Sequence, residues 1–401
     1  MWRHTLMRSA CLILIPTVAL LIVPATDASA QGGMAAARAS GRVLGPPHEI
    51  ELPNPYYRVW PAGVPSPWSW GKLPEGRTWG STSAVHVDRD GRSMWVFDRC
   101  GSDHSNCLNG LDVDPILKFD PDGNLLTSFG KGMFFLPHGI HVDRDGNIWA
   151  TDAGGPNAEA VANNPQARGI GHRVIKFTPD GRELMIIGTG GVAGDPPNHL
   201  TAPTAVVTAA NGDIFIAEGH SGANRISKFR ADGTFLMSWG SDGTGPGQFR
   251  LPHDIGMDSQ GRVFVADRSN YRIQIFDQEG NYIDAWKQFG RPSGLYISPT
   301  DILYVADSHS WGDEVRVDNE PYRKGIRVGS ARTGEVHYYL PDLEVMTRAN
   351  SGGEGVGADA EGNIYSAVVR RLGVEKFPIN PPQPARGRAA AQPETQALPQ
   401  D

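Results

Sequence analysis

The sequence predicts an all-β chain, a six-bladed β-propeller, and three observations carry that reading. A pattern of alternating apolar residues, a Gly turn and a second alternating run ending near an acidic residue recurs six times along the chain. In most of the six units a further hairpin follows, so that each unit reads as a four-stranded antiparallel meander. The 401 residues include 49 Gly and 31 Pro, a turn-rich composition that suits neither a helical bundle nor wholesale disorder. A chain of this length also exceeds the roughly 250 to 300 residues at which a single core stops growing, and a repetitive architecture adds core by adding units.

The first hairpins read Val85 to Asp98, Ile140 to Asp152, Ala205 to Glu218, Ile255 to Asp267, Leu295 to Asp307 and Val356 to Ala367. Second hairpins begin at Ile116, Val174, Ile226 and Ile273. Unequal spacing between the turn glycines leaves inserts such as Gly154 to Gly171, which belong to loops over one face of the disc. The last unit supplies three strands and stops at Val374 to Phe377, whereas Tyr56 to Trp60 precedes the first blade. The expectation is that this N-terminal strand completes the sixth blade and closes the ring, giving a propeller over residues 56–377 after an extension at 31–55.

The two ends read differently. Arg3 and Arg8 precede an apolar run from Cys11 to Val23, and Ala28-Ser29-Ala30 offers the small side chains of a cleavage site. Residues 1–30 are therefore expected to be a removed signal peptide, placing the protein in a secreted or periplasmic setting, free of the membrane and monomeric. From Pro378 to Asp401 the chain is rich in Pro, Ala, Gln and Gly, and a disordered tail is expected. Cys100 and Cys107 would pair as a disulfide in an oxidising compartment; the alternative is a zinc site with His104, although the spacing fits no common zinc motif. With 37 basic against 44 acidic residues, a formal charge of −7 and no basic block, nucleic-acid binding is excluded as a working function.

Chemistry concentrates where the repeats begin. In a propeller the first strand of each blade lines the central channel, so residues at its start converge from distant parts of the sequence. Unit two opens Leu136-Pro137-His138-Gly139, unit four Leu251-Pro252-His253-Asp254 and unit six Gly352-Gly353-Glu354-Gly355. Units one, three and five carry Ser83, Thr204 and Ser293 nearby. Near-sixfold symmetry sets the two imidazoles and the carboxylate about 120° apart around one axis. His138, His253 and Glu354 are thus the expected metal ligands, for zinc first and for iron or manganese as alternatives. The bland reading is that Pro-His only marks a chain turning into a strand.

At the same mouth the second strands end in Asp98-Arg99, Asp152, Glu218-Gly219-His220, Asp267-Arg268 and Asp307-Ser308-His309. Arg99, Arg268 and His220 are the expected catalytic residues: the guanidiniums would clamp a small carboxylate-bearing molecule or a peptide C-terminus, and the imidazole would move a proton. Each acidic residue, by contrast, reads as a blade-to-blade structural group. No Gly-x-Ser-x-Gly elbow is present, and Gly188 to Gly191 opens no helix that would make it a phosphate cradle.

The segments MWVFDR, FFLPHGIHVDRDGNIWATD, GPGQFRLPHDIG and VFVADRSNYRIQIF resemble the NHL-repeat propellers, and within them the peptidyl-α-hydroxyglycine α-amidating lyases, from about Thr78 to Phe377. The resemblance implies a zinc held by three His in the central cavity and cleavage of an α-hydroxyglycine C–N bond to an amide and glyoxylate. It matches His138 and His253 to two zinc ligands, and Arg99 and Arg268 to active-site arginines. The third His ligand of that family is replaced by Glu354, the Asp that follows it by Gly355, and the catalytic Tyr by His220. The missing Asp puts the family's structural calcium in doubt. A metal-dependent lactone or ester hydrolase and a non-catalytic propeller that binds peptide or protein partners are the alternative functions.

Overall fold

The computed structural model describes residues 52–56, 69–101, 106–311, 322–342 and 352–379. The signal segment, the C-terminal tail beyond residue 379, Val59, Trp60 and His104 lie outside these residues.

Six antiparallel sheets follow one another along the chain. The first is β1 (Thr82–Val87), β2 (Met94–Asp98), β3 (Ile116–Phe119) and β4 (Leu125–Phe129), and the second β5 (Pro137–Val142), β6 (Ile148–Asp152), β7 (Arg173–Phe177) and β8 (Glu183–Ile187). The third comprises β9 (Pro203–Thr208), β10 (Ile214–Glu218), β11 (Arg225–Phe229) and β12 (Phe235–Trp239), the fourth β13 (Pro252–Met257), β14 (Val263–Asp267), β15 (Arg272–Phe276) and β16 (Tyr282–Trp286). β17 (Pro292–Ile297), β18 (Ile302–Trp311), β19 (Arg323–Ser330) and β20 (Val336–Pro341) form the fifth; β21 (Gly355–Ala358), β22 (Ile364–Val368) and β23 (Gly373–Phe377) form the sixth. The first strands β1, β5, β9, β13, β17 and β21 pack side by side, and β21 packs against β1, so the ring closes. This is a six-bladed propeller.

Alternation in each blade explains its burial. Trp95, Phe97, Ile148, Ala150, Ile214 and Ile216 are buried on strands whose two faces meet neighbouring blades, so the core lies between the sheets. Asp-Gly turns recur because an Asp carboxylate binds the turn's own amides: Asp143 Oδ1 accepts from Asp145 N at 3.0 Å and Asn147 N at 2.8 Å, while Gly146 adopts φ of 88°. The same Asp143 then reaches across the sheet to Trp149 Nε1 at 3.0 Å and Lys176 Nζ at 3.1 Å.

Two features differ from the sequence pattern. The fifth blade has a full second hairpin, β19 and β20, hidden in the sequence because its turn lacks the Phe-x-x-Asp-Gly or Phe-x-x-Glu-Gly motif of the first four. The sixth sheet has three strands; Tyr56 forms an isolated bridge to Ile379 just beyond it and is buried in one cluster with Val356, Ile364 and Phe377, and Trp70 N donates to Val374 O at 2.6 Å. Whether residues 57–60 extend this contact lies outside the described residues. Cys100 and Cys107 are joined in a disulfide. Among the described residues no helix is long and apolar enough to cross a membrane.

Candidate metal centre and its surroundings

The site is built on irregularities at the starts of the inner strands. Strand register slips between Thr82 and Ala84, Pro137 and Ile140, Pro252 and Asp254, and Pro292 and Gly294. The slip spans Ser83, His138, His253 and Ser293, and a bulge of this kind re-aims a side chain that a regular pleat would point into the sheet. Prolines open β5, β9, β13 and β17, where a missing amide costs no ladder hydrogen bond. Gly139 follows His138 because the blades approach closely there: a Cβ would lie 2.6 Å from Thr204 O and 2.8 Å from Ala205 Cα.

A hoop of hydrogen bonds links one strand start to the next. Ser83 Oγ donates to Pro137 O at 3.1 Å, and Thr204 Oγ1 donates to Pro252 O at 2.8 Å. Between them, His138 Nδ1 lies 2.7 Å from Thr204 O and His253 Nδ1 lies 2.6 Å from Ser293 O. A carbonyl only accepts, so both Nδ1 atoms carry the proton and both Nε2 atoms are left as lone pairs. Those Nε2 atoms are buried and have no hydrogen-bond partner among the described residues.

His220 supplies a third imidazole. It follows Gly219, where a Cβ would meet Pro252 O at 2.2 Å, so the loop after β10 lies directly on the start of β13. The His220 ring sits 4.5 Å from that of His138 and 5.1 Å from that of His253, and ligand atoms of all three fall within 4.8 Å of one another. Among the described residues this is the one group of three or more potential ligands so arranged. His138 and His253 are buried, whereas His220 keeps an exposed face toward the mouth. Burial, then the neighbouring rings and guanidiniums, push His138 well below its ordinary pKa and His220 down to about 3. Neutral imidazole is the form that binds a metal.

Glu354 stands beside this group without joining it. Its Oε1 lies 3.1 Å from His253 Nε2 and 3.5 Å from Arg268 Nη1, and Oε2 accepts from Ser308 Oγ at 3.1 Å. Burial alone would raise the carboxyl, but the Arg268 guanidinium beside it outweighs burial and holds Glu354 well below the usual range. The carboxylate thus faces a nitrogen whose own proton has gone to the opposite side of the ring. Two acceptors at 3.1 Å repel unless a proton or a cation lies between or beside them. The donor set therefore fits a divalent ion: three imidazoles, two of them oriented by backbone carbonyls, with a carboxylate at hand.

The two arginines are unequal. Arg268 is engaged, with Nη1 toward Glu354 and Nη2 toward His309 Nδ1 at 2.7 Å. Arg99 is only 5% exposed and spends Nε on Pro137 O at 3.1 Å, and among the described residues it has no carboxylate within ion-pair distance. Burial lowers both guanidiniums from their ordinary pKa. Ser308 and His309, which lie toward the end of the second strand of blade five, also belong to the site through Glu354 and Arg268. The signal was their phase, since His309 follows Asp307 by two residues as His220 follows Glu218. The acids themselves are structural: Asp152 accepts from Leu136 N at 2.6 Å, and Asp267 from Arg250 N at 2.8 Å and Arg272 Nε at 2.7 Å.

A profile of the NHL repeat matches residues 249–276, the loop into β13 through the end of β15. The chain is a six-bladed propeller carrying an NHL repeat. It is 33% identical over 294 residues to peptidyl-glycine alpha-amidating monooxygenase B of Xenopus laevis, covering 70% of this chain and 30% of that protein. Human NHL repeat-containing protein 3 is 32% identical over 245 residues, 59% of this chain and 62% of its own. A probable peptidyl-alpha-hydroxyglycine alpha-amidating lyase of Caenorhabditis elegans is 29% identical over 212 residues, 49% of this chain and 55% of its own. This propeller thus resembles proteins named as amidating enzymes, and it spans from 30% to 62% of the length of these relatives.

Proposed function

We propose that this NHL propeller is a metal-dependent lyase acting on an N-acyl-α-hydroxyglycine, giving an amide and glyoxylate. The observation that carries the proposal is the pair of buried Nε2 atoms of His138 and His253, neither with a hydrogen-bond partner among the described residues, beside His220, with Arg99 at the same mouth having no carboxylate within ion-pair distance among those residues. The likeness to proteins named as amidating lyases and monooxygenases supports it.

In this reading His138, His220 and His253 hold the ion, zinc being preferred by the three nitrogen donors. The ion, when bound, supplies Lewis acidity that makes an α-hydroxyl easier to deprotonate. Arg99 takes the substrate carboxylate, because among the described residues it is a buried cation left without an anion. Glu354 accepts the hydroxyl proton, held in place by Ser308 and Arg268. Collapse of the O–H bond to C=O breaks the C–N bond, and the departing amide nitrogen takes the proton back. His220 thereby moves from proton carrier to metal ligand, and Glu354 from ligand to proton acceptor. Secretion through the N-terminal segment belongs to the same proposal.

The test is to incubate zinc-loaded protein with α-hydroxyhippurate and measure glyoxylate, beside a panel of lactones. Glyoxylate release that Arg99→Ala lowers mainly through a higher KM supports the lyase. Ring opening without glyoxylate overturns it in favour of a hydrolase on the same centre. Absence of both activities and of bound metal leaves a partner-binding propeller.

A further inference from the structure

The mouth holds a third guanidinium besides those of Arg99 and Arg268. Arg291 precedes Pro292 at the start of β17, and its amide donates to Asp307 Oδ2 at 2.9 Å. Its side chain turns back over blade four, where the guanidinium carbon lies 5.4 Å from the ring centroid of Tyr271. Tyr271 is buried and closes the short turn Arg268–Asn270 in a left-handed conformation, with φ of 53°. One turn thus begins with the arginine that holds Glu354 and ends with the ring on which Arg291 rests. A planar cation lying on an aromatic face keeps its orientation with few hydrogen bonds.

Among the described residues this cation is uncommitted. Arg291 Nε is buried with no hydrogen-bond partner, and no carboxylate lies within ion-pair distance of the guanidinium. The acids around it are taken: Asp307 by Arg327 Nη1 at 3.3 Å and Ser310 Oγ at 2.7 Å, Asp267 by Arg272 Nε at 2.7 Å, and Glu354 by Arg268. Its charge nevertheless belongs to the site. Burial and then Arg268 push His309 down to about 3, and Arg291 adds to that push.

Arg99 and Arg291 stand on opposite sides of the hub. Arg99 leaves blade one and rests on Pro137 O of blade two, whereas Arg291 leaves blade five and rests on blade four. Three blade steps of about 60° separate these two junctions, which is half the ring. A ligand anchored by its carboxylate on Arg99, with its neighbouring carbon at the imidazoles, therefore extends its far end across the hub toward Arg291.

We propose that Arg291 is a specificity-determining residue that binds a second anionic group on the acyl portion, so that the substrate class is a dianionic N-acyl-α-hydroxyglycine. The proposal deepens the lyase reading above and rests on it for the hydroxyglycine end. A neutral acyl group leaves the Arg291 guanidinium facing water, while a carboxylate there gains a charge-assisted, fork-shaped contact. An acyl group that bears a cation is repelled.

The test compares two stable ligands that lack the α-hydroxyl, hippurate and 4-carboxyhippurate, by isothermal titration of the full-length protein with zinc at low salt. 4-Carboxyhippurate is expected to bind about tenfold more tightly. Because Arg291 is only half-buried, the advantage should shrink as ionic strength rises. Arg291→Gln is expected to weaken 4-carboxyhippurate to the level of hippurate, and Arg291→Lys to keep part of the advantage. Arg99→Gln should weaken both ligands alike. Equal affinities in the parent protein, or no binding of either ligand, overturn the proposal, as does a preference that survives Arg291→Gln. Glyoxylate release from α-hydroxyhippurate is measured alongside. Its absence with the Arg291-dependent preference intact overturns the lyase reading and leaves the subsite for a dianion standing.

Discussion

Blades two and four differ from blade six at the same phase, and the difference explains the shape of the site. In the former a bulge follows Pro137 and Pro252, and an imidazole turns into the channel with Nδ1 fixed on the next blade's carbonyl. In blade six the register of β21 with β22 runs without a slip from Gly355 to Ala358, and Glu354 N donates to Ala367 O at 2.7 Å. Its side chain consequently reaches sideways to Arg268, Ser308 and His253. The third imidazole comes instead from the loop of blade three. A repeat phase therefore specifies where a side chain starts, and the local bulge specifies where it ends.

That contrast is broken most severely by removing an imidazole from a bulged blade. His138→Ala and His253→Ala are each expected to reduce bound zinc from about one equivalent to background, because a tetrahedral site that loses one of three protein ligands loses its closure. Elemental analysis of purified protein checks this. Retention of full stoichiometry in both would remove the metal centre.

The next test separates the two claimants for the third position. His220→Ala should lose zinc as the bulged-blade variants do. Glu354→Gln should keep it, and should lower turnover by roughly 10² to 10⁴-fold as expected for a missing proton acceptor. The reverse result, with Glu354→Gln losing the metal and His220→Ala keeping it, would restore the ligand set expected from repeat phase alone.

How much of this was legible beforehand follows from the same contrast. The blades were legible because alternation, Gly turns and terminal acids are local patterns, and each is repeated. The convergence of His138 and His253 was legible from their shared Pro-His phase. The position of His220 beside those two rings and the sideways reach of Glu354 were not, since they depend on a loop resting on Pro252 O and on a missing bulge, neither of which has a residue signature. The second hairpin of blade five escaped because its turn departs from the repeat.

The hydrogen-bond hoop offers a gentler perturbation. Thr204→Val removes the hydroxyl that donates to Pro252 O and leaves that buried carbonyl short of a partner. The expected cost is about 1 to 2 kcal/mol, read as a Tm lowered by a few degrees. Zinc content should remain near the parent value, because His138 depends on the Thr204 carbonyl and that group is unchanged. A large loss of metal in this variant would mean that the hoop sets the geometry of His253 as well as the stability of the ring.

A pH-dependent effect, with no consequence for metal or turnover, distinguishes blades two and four through their terminal acids. Asp267 has Arg272 in direct contact at 2.7 Å, whereas Asp152 is satisfied by backbone amides, and Arg173 acts on it only at longer range. Burial raises the Asp152 carboxyl to about 6 despite those amides and Arg173. A folded-state pKa above the unfolded value means that the folded chain holds the proton more tightly. Stability from this group is therefore full below about pH 4 and is lost as pH rises through about 6. The expected decline is on the order of 1 to 3 kcal/mol between those limits. Asp152→Asn should lower stability at acid pH, where the protonated acid already suits the site, and should flatten this part of the pH profile of urea unfolding. Persistence of the same slope in the variant would assign it to other buried acids, among them Asp254, which burial raises to about 7.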